Sequence, residues 1–361
     1  MYMAAIKESL TFDDVTLIPQ YSSILPIDTD ISTTLASNIK LQIPFISSAM
    51  DTVTESAMAI SMGKEGGMGV LHRNLNISEQ CNQIRKVKKN KILVGAAIGT
   101  SINDIIRAKK LIDNGVDMVV IDTAHGHSKK VIDTLKKIKR FGKKITICVG
   151  NIATAQSAKT LINEGADILK VGIGPGSICT TRIVSGIGVP QISAVMDVKK
   201  GVGKNKIKII SDGGIKFLGD AAKAIAAGAD AVMMGSIFSG TDECPGKKFK
   251  VKNKYYKSFR GMGSTGAMMD GSSDRYFQKN YKDKSKFVPE GVEGRVPYKG
   301  KVEKIIYQLK GGLRSSMGYI GAKNISDLQK KAKFIKITKA GFYESMVHNV
   351  EINEKEANYK L

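Results

Sequence analysis

A short apolar run recurs along the chain, each time directly after a glycine and an aspartate. The unit lies at 114–122, 164–171 and 227–234, where Asn-Gly-Val-Asp, Glu-Gly-Ala-Asp and Ala-Gly-Ala-Asp precede the apolar residues. A glycine after the last helical turn is typical of a left-handed helix C-cap. An uninterrupted apolar run is typical of a strand that is covered on both faces. The repeat therefore predicts helix-then-strand units that build a parallel sheet.

Runs of this kind give eight candidate strands, at 43–48, 68–71, 92–97, 118–121, 145–149, 168–171, 207–210 and 231–234. Helical patterns separate most of them, at 54–64, 78–89, 104–113, 129–140, 154–163 and 219–227. This alternation predicts a TIM (β/α)8 barrel, an α/β fold, as one domain over 1–361. A doubly wound open sheet stays the alternative, because spacing alone cannot show closure.

Polar residues and glycines follow the ends of most predicted strands. They lie at 48–50, His72, Asp122, Asn151, 172–181, 212–214 and 235–236. In a TIM barrel these strand ends meet at one face, which carries the active site. We therefore expect these residues to surround a common site.

The stretch 172–181, Gly-Ile-Gly-Pro-Gly-Ser-Ile-Cys-Thr-Thr, places Cys179 in a loop suited to an anion. Its glycines allow positive φ angles and the close approach of a ligand. Successive N–H groups in such a turn bind phosphate, Ser177 adds a hydroxyl, and the same dipoles favour a thiolate at Cys179. A plain turn with a small buried cysteine is the simpler interpretation. The density of Gly, Ser, Cys and Thr after a strand favours a site.

The region after the eighth predicted strand breaks the pattern. Residues 247–259 are typical of a basic hairpin, and 261–298 are predicted to be a long, mostly structureless segment rich in glycine, serine and charged residues. Such loops in compact domains are functional lids or disordered segments. Regular structure resumes at 302–309 before Gly311 and Gly312, and a lysine-rich tail covers about 334–361.

The formal net charge of +23 raises the question of a nucleic-acid partner. The lysines are spread over predicted helix faces, and aromatic residues make up 6% of the chain with no tryptophan, so base stacking has little support.

No apolar run could cross a bilayer, and no signal sequence is visible. Cys81, Cys148, Cys179 and Cys244 lack metal-site spacing. We therefore expect reduced thiols, a cytoplasmic protein and no membrane partner.

Six motifs resemble the inosine-5′-monophosphate (IMP) dehydrogenase family over nearly the whole chain. They lie at 10–15, 46–55, 121–126, 170–182, 211–215 and 261–264. The family fold is a TIM barrel, which agrees with the strand count. Members usually carry a pair of CBS modules between the second helix and the third strand, but here 85–95 runs straight through. We expect no regulatory domain near 90–91.

The resemblance implies a reaction in two steps. Cys179 would attack C2 of IMP, NAD⁺ would take the hydride, and water would hydrolyse the covalent product to xanthosine 5′-monophosphate (XMP). The family's mobile flap, here about 261–298, would bring Arg275 and Tyr276 to the hydrolysis, with Arg275 as the base. Thr181 and Glu290 would assist.

The resemblance also implies the binding residues. Those for IMP are Ser48, Met50, Ser177, Asp212, Gly214, Gly235, Ser236, Gly261, Met262, Gly263 and Glu290. Asp212 would accept both ribose hydroxyls. Phe259 stands where the family usually has tyrosine, so a phosphate-binding hydroxyl would be missing. Those for NAD are Asp122, Thr123, Ala124, Asn151, Gly172 and Gly174, without the helix and acidic residue of a Rossmann site.

A potassium ion is implied as well. The carbonyls of Gly174, Gly176 and Cys179 would bind K⁺ together with Glu344, Ser345 and Met346 of a neighbouring subunit, which implies a homotetramer. Met346 departs from the usual histidine, although a carbonyl ligand tolerates any side chain.

Two other functions stay open at this point. GMP reductase shares the barrel and the cysteine loop, and the missing CBS modules favour it, whereas Arg275, Tyr276 and 289–291 favour the dehydrogenase. A basic nucleic-acid-binding barrel is the third hypothesis. We interpret His125 and His127 as structural or cofactor-flanking.

Overall fold

The computed structural model describes residues 6–142, 145–278, 281 and 283–351. Eight parallel strands form a closed barrel: β1 (Phe45–Ser47), β2 (Met68–Leu71), β3 (Val94–Ile98), β4 (Met118–Asp122), β5 (Thr146–Ile152), β6 (Ile168–Val171), β7 (Lys208–Asp212) and β8 (Ala231–Met234). Strand β8 pairs with β1 through Met233 and Ile46, which closes the sheet. The predicted TIM barrel is confirmed, and the open-sheet alternative is wrong.

Helices surround the barrel and follow its strands. They span Ser56–Lys64, Ile77–Lys88, Ile102–Asp113, Lys129–Lys139, Ala155–Asn163, Gln191–Val202, Leu218–Ala226 and Val302–Ile320. Helix Lys129–Lys139 buries Val131, Leu135 and Ile138, while its lysines face outward. The basic residues of this helix therefore form a solvated face, as its periodicity predicts.

The repeated glycine and aspartate have separate structural roles. The glycines Gly115, Gly165 and Gly228 adopt φ angles of 85°, 91° and 119°, the left-handed conformation that ends each helix. The aspartates that follow accept hydrogen bonds from the first N–H groups of the preceding barrel strand: Asp117 from Val94 (2.8 Å), Asp167 from Ile147 (2.8 Å) and Asp230 from Ile209 (2.9 Å). The repeat therefore stabilises the face of the barrel opposite the predicted site.

The segment after β8 is more ordered than predicted. The hairpin expected at 247–259 is present as Phe249–Val251 and Lys254–Arg260, and Glu293–Pro297 adds a third antiparallel strand. Short helical turns occupy Thr265–Ala267, Met268–Ser272 and Ser273–Tyr276. The prediction of a mostly structureless 261–298 is therefore wrong for these parts, because contacts with the barrel fix them. Residues 279, 280 and 282 lie outside the described residues.

Helix Val302–Ile320 continues well past the expected end at 309 and includes both Gly311 and Gly312. A Cβ atom at Gly312 would lie 3.0 Å from Cβ of Leu218. Here glycine permits two helices to pack closely instead of ending one of them. The tail expected at 334–361 begins with strand Phe334–Lys336 and helix Lys339–Glu344, and 352–361 lies outside the described residues.

The connection from helix Ile77–Lys88 to β3 consists of residues 89–93. No domain is inserted there, as expected near 90–91. Within the described part of the chain, no helix is long and apolar enough to span a membrane.

Candidate active site

The cysteine loop starts where β6 ends. Gly172 has a φ angle of 150°, and a Cβ atom there would lie 2.2 Å from the carbonyl oxygen of Asp212 at the end of β7. Only glycine therefore fits between these two strand ends. The loop then turns so that the N–H of Cys179 donates to the carbonyl of Gly176 at 3.1 Å. Cys179 is half-buried, and its Sγ lies 3.2 Å from Oγ1 of the buried Thr181.

Two parts of the segment after β8 hold this loop in place. The N–H of Thr180 donates to the Glu290 carbonyl at 3.0 Å, and the N–H of Val292 donates to the Ile178 carbonyl at 3.1 Å. The N–H of Glu290 donates in turn to the Gly263 carbonyl at 3.0 Å. Cys179 is thus framed by backbone hydrogen bonds from residues more than a hundred positions later in the chain.

A buried ammonium group joins three polar side chains at the centre of the site. Lys170, on β6, is 2% exposed, and its Nζ lies 2.8 Å from Asp122 and 2.7 Å from Asp212. It also donates to the side-chain oxygen of Asn151. Burial alone would lower the pKa of Lys170, but the two carboxylates outweigh burial and raise that pKa. Lys170 is therefore a permanent cation that orients the residues around it.

Arg275 enters the same cluster from the helical turn Ser273–Tyr276 and pairs with the carboxylate of Asp122. Its backbone carbonyl accepts a hydrogen bond from the N–H of Ala124 at 3.1 Å. Burial opposes the charged form, but Asp122 outweighs burial and raises the pKa of Arg275 above its usual range. Burial likewise opposes ionisation of Asp122, and the two cations Arg275 and Lys170 hold its pKa well below its usual range.

Asn151 connects this cluster to the cysteine loop. Its Nδ2 donates to the carbonyl of Gly172 at 2.7 Å and to Asp212 Oδ2 at 3.0 Å. The hydroxyl of Thr123 donates to the Gly150 carbonyl at 2.9 Å. The side chains of Asn151 and Thr123 therefore fix strand ends.

Tyr276 packs against the backbone of Gly263, where a Cβ atom would lie 2.7 Å from Cζ of the tyrosine ring. Burial raises the pKa of Tyr276 above its ordinary value, so the phenol stays protonated at neutral pH. Its neighbour Arg275 has Cζ 6.0 Å from the ring centroid. The two side chains enter the site together.

One cleft, with an empty volume of about 1240 Å³ that includes space open to solvent, holds these groups. All residues predicted for catalysis and for IMP line it, as does Phe259. The predicted NAD residues line it too, with the exception of Thr123. A cleft that brings several convergent polar groups together is typical of a small-molecule site.

The predicted cation ligands do not all meet in this chain. Gly174, Gly176 and Cys179 line the cleft. Residues 344–346 end the helix Lys339–Glu344, whose contacts include the turn Phe12–Asp14. Among the described residues, no hydrogen bond joins 344–346 to the cysteine loop.

Two functional candidates escape the sequence patterns. Lys170 sits inside an apolar strand, where the sequence signals only burial. Arg73 follows His72 at the end of β2 and pairs with Asp274 of the same turn that carries Arg275. The signal that could have indicated Lys170 is the presence of a lysine within an otherwise apolar, buried run. The Arg73–Asp274 pair has no local signal, because its residues are 201 positions apart.

Comparisons with known proteins agree on one family. Residues 9–348 match the family model described as "IMP dehydrogenase / GMP reductase domain". The inosine-5′-monophosphate dehydrogenase of Cryptosporidium parvum is 47% identical over 397 residues, covering 98% of each chain. That of Borreliella burgdorferi is 48% identical, covering 95% of this chain and 98% of the relative. The Aquifex aeolicus enzyme of the same name is 40% identical over 483 positions, so it carries a long segment that this chain of 361 residues lacks.

Proposed function

The chain belongs to the IMP dehydrogenase and GMP reductase family, and we propose that it oxidises IMP to XMP with NAD⁺. The observation that carries the proposal is the meeting of Cys179, Thr181 and Arg275 in one cleft. A nucleophilic thiol there stands beside a hydroxyl and opposite a buried cation on a separate segment. The relatives named above support the dehydrogenase rather than the reductase, because all of them bear the dehydrogenase name.

Cys179 is the nucleophile of this proposal. Its sulfur bonds to C2 of the purine, and loss of hydride from C2 leaves a thioimidate on the enzyme. Water then displaces the sulfur, which gives XMP and returns the thiol. A covalent intermediate divides a difficult oxidation into two easier steps. NAD⁺ supplies the hydride acceptor, and Asp122, Asn151 and Gly172 are the residues proposed to bind it.

Asp212 and the glycine loops bind the substrate in this proposal. The carboxylate of Asp212 is held by Lys170 and Asn151, with its lone pairs available to ribose hydroxyls. Ser177, Gly214 and Gly235 all line the cleft, and their N–H groups are proposed to bind the phosphate, as nests of backbone N–H groups do for anions. Phe259 lines the same cleft without a hydroxyl.

Arg275, Tyr276, Thr181 and Glu290 form the proposed hydrolytic group. In this structure Arg275 is paired with Asp122, a residue that is also proposed to bind NAD⁺. The raised pKa of Arg275 makes it a poor base while this ion pair holds. Activation of water by Arg275 therefore requires a different arrangement once the nucleotide is bound, with the Thr181 hydroxyl as proton relay.

A monovalent cation completes the proposal. Carbonyls of Gly174, Gly176 and Cys179 belong to one tight loop, and oxygen ligands suit hard cations such as K⁺. Among the described residues, Glu344, Ser345 and Met346 make no hydrogen bond to this loop, and we propose that a second subunit of a homotetramer supplies them. Dependence of turnover on K⁺ and mass measurement of the native assembly test this part. The free thiols fit a cytoplasmic enzyme.

A steady-state assay tests the proposed reaction directly. The protein with IMP, NAD⁺ and K⁺ should form NADH, and mass spectrometry of quenched enzyme should find a purine adduct on Cys179. Consumption of NADPH with GMP, in the absence of NADH formation from IMP, would instead identify a reductase. Inactivity in both assays together with salt-sensitive DNA binding would identify a nucleic-acid-binding barrel.

A further inference from the structure

A two-pronged ion pair joins the rim of the barrel to the turn that carries Arg275. Arg73 Nη1 lies 3.1 Å from Asp274 Oδ2, and Arg73 Nη2 lies 2.6 Å from Asp274 Oδ1. The Arg73 side chain is 7% exposed and that of Asp274 is 39% exposed. Parallel hydrogen bonds of this kind fix direction as well as distance.

The surroundings of Arg73 make Asp274 its main partner. The other carboxylate near Arg73 belongs to Asp104. It already pairs with the guanidinium of Arg107, whose Nε lies 3.6 Å from Asp104 Oδ1. Burial opposes ionisation of Asp104, and its hydrogen bond with Ser101 and the charge of Arg73 hold its pKa below the ordinary value. Without Asp274, two guanidinium groups would share the single carboxylate of Asp104 in a nearly buried place. Removing one partner of such a pair is costly, because the other charge stays desolvated.

Asp274 and Arg275 are neighbours that point to different parts of the barrel. Asp274 reaches Arg73 after β2, while Arg275 reaches Asp122 at the end of β4. The backbone of Arg275 is held by the N–H of Ala124. The turn Ser273–Tyr276 is therefore attached to two separate barrel loops. The contact with Arg73 prevents the turn from rotating about its attachment to Asp122 and Ala124.

We propose that Arg73 and Asp274 are positioning residues that aim the Arg275 side chain into the active site. The pair contacts neither the proposed substrate nor the reacting atoms, and it acts through the orientation of the turn. The consequence for hydrolysis rests on the proposed function, whereas the anchoring of the turn does not. A small misplacement of a catalytic group lowers its rate without changing its chemistry.

Gly99, directly after β3, gives a way to disturb the pair without removing a charge. A Cβ atom there would lie 2.7 Å from both Asp274 Oδ2 and Asp104 Oδ2, and 2.9 Å from Arg73 Nη1. These are the ends of side chains, so an alanine would displace the ion pair and the adjoining Asp104 carboxylate rather than the barrel backbone. Asp283 supplies the matched control, because it is an aspartate of the same segment whose carboxylate accepts hydrogen bonds from Ser285 and, among the described residues, from no other group.

The test compares Asp274→Asn, Arg73→Gln, their double variant, Gly99→Ala and Asp283→Asn in the full chain. Hydrogen–deuterium exchange reports on the segment 268–278, and rapid-quench assays separate the first turnover from the steady state. In the first four variants, amide exchange in 268–278 should rise about tenfold or more, as loss of charged hydrogen bonds predicts. The steady-state rate should fall about tenfold while NADH release in the first turnover is unchanged. The steady-state rate of the double variant should be no lower than that of the less active single variant.

Each outcome decides a different question. Exchange in Asp274→Asn equal to that in Asp283→Asn would overturn the anchoring, whatever the activity. If the rate of the first turnover falls as much as the steady-state rate, the pair has a structural role and the positioning role is overturned. Additive losses in the double variant would show that the two residues act separately. If the parent forms no NADH from IMP, the proposed function fails, and the exchange data alone still decide whether the turn is anchored.

Discussion

The ammonium group of Lys170 lies 2.7 Å from Asp212 and 2.8 Å from Asp122, and so links the carboxylate proposed for the ribose with the one that holds Arg275. One buried cation thus forms ion pairs with two carboxylates that both line the cleft. We therefore expect substrate binding and the placement of Arg275 to be coupled through this charge. A change at Lys170 should therefore affect both.

Lys170→Met should weaken IMP binding and destabilise the fold, because Asp122 would then retain Arg275 as its charged partner, whereas Asp212 would retain only the uncharged amide of Asn151 among the described residues. Loss of one partner from a buried ion pair costs about 3–5 kcal/mol. We expect a lower melting temperature and an IMP dissociation constant raised at least tenfold, by about 1.4 kcal/mol or more. Lys170→Arg, which keeps the charge, is the control for calorimetric titration. Full IMP affinity in the methionine variant would contradict the role given to Lys170.

Cys179→Ala should abolish NADH formation while IMP still binds. The thiol forms the covalent bond, whereas Asp212 and the glycine loops supply the affinity. Calorimetric titration with IMP should give a dissociation constant within about threefold of the parent, a difference below about 1 kcal/mol. NADH formation near the parental rate would remove Cys179 from the mechanism.

The barrel and most of its site are predictable from local patterns, and the strands at 68–71, 168–171 and 231–234 have the predicted bounds. The cysteine loop is a continuous motif, so its placement after β6 follows from the sequence alone. The Arg73–Asp274 pair depends on two residues 201 positions apart, and nothing local to either residue indicates it. The local pattern predicts regular structure only over 302–309, before Gly311 and Gly312, because the contact between Gly312 and Leu218 is tertiary. The helical turns at 265–276 are stabilised by the barrel rather than by their own periodicity.

Gly263→Ala should impair the docking of Tyr276. The added methyl group would lie 2.7 Å from the tyrosine ring and 3.0 Å from the backbone carbon of Glu290. Overpacking of this kind costs about 1–3 kcal/mol, which corresponds to a fall in turnover of about fivefold to 150-fold. Gly294→Ala is the matched control, because nothing lies within 4 Å of the new methyl group. Equal kcat values for the two variants would argue against this contact.

Thiol labelling at pH 8 should modify Cys179 selectively. Burial raises the pKa of Cys148 to about 12 and also raises the pKa values of Cys81 and Cys244, so these thiols stay protonated and covered. Cys179 is the half-buried thiol of the cleft. Iodoacetamide should therefore add one label per chain, and IMP should block it. Peptide mapping checks the site, with Cys179→Ser as the control, and early labelling of Cys148 would contradict the burial argument.

Arg275→Ala should leave the first turnover largely intact and slow the steady state by about 100-fold, the scale of a lost acid–base group. The reason is that Arg275 belongs to a separate segment, whereas the groups proposed for hydride loss belong to the barrel and its cysteine loop. Rapid-mixing absorbance should show a burst of about one NADH per active site, followed by slow release, because the thioimidate accumulates. Intact-mass measurement should find the adduct on Cys179. Arg295→Ala controls for the loss of an arginine from the same segment, since its guanidinium lies 5.1 Å from the ring centroid of Tyr256 on the neighbouring strand of the same sheet and does not line the cleft. If the burst slows as much as the steady state, Arg275 acts in binding or folding, and Thr181 becomes the group to test for activation of water.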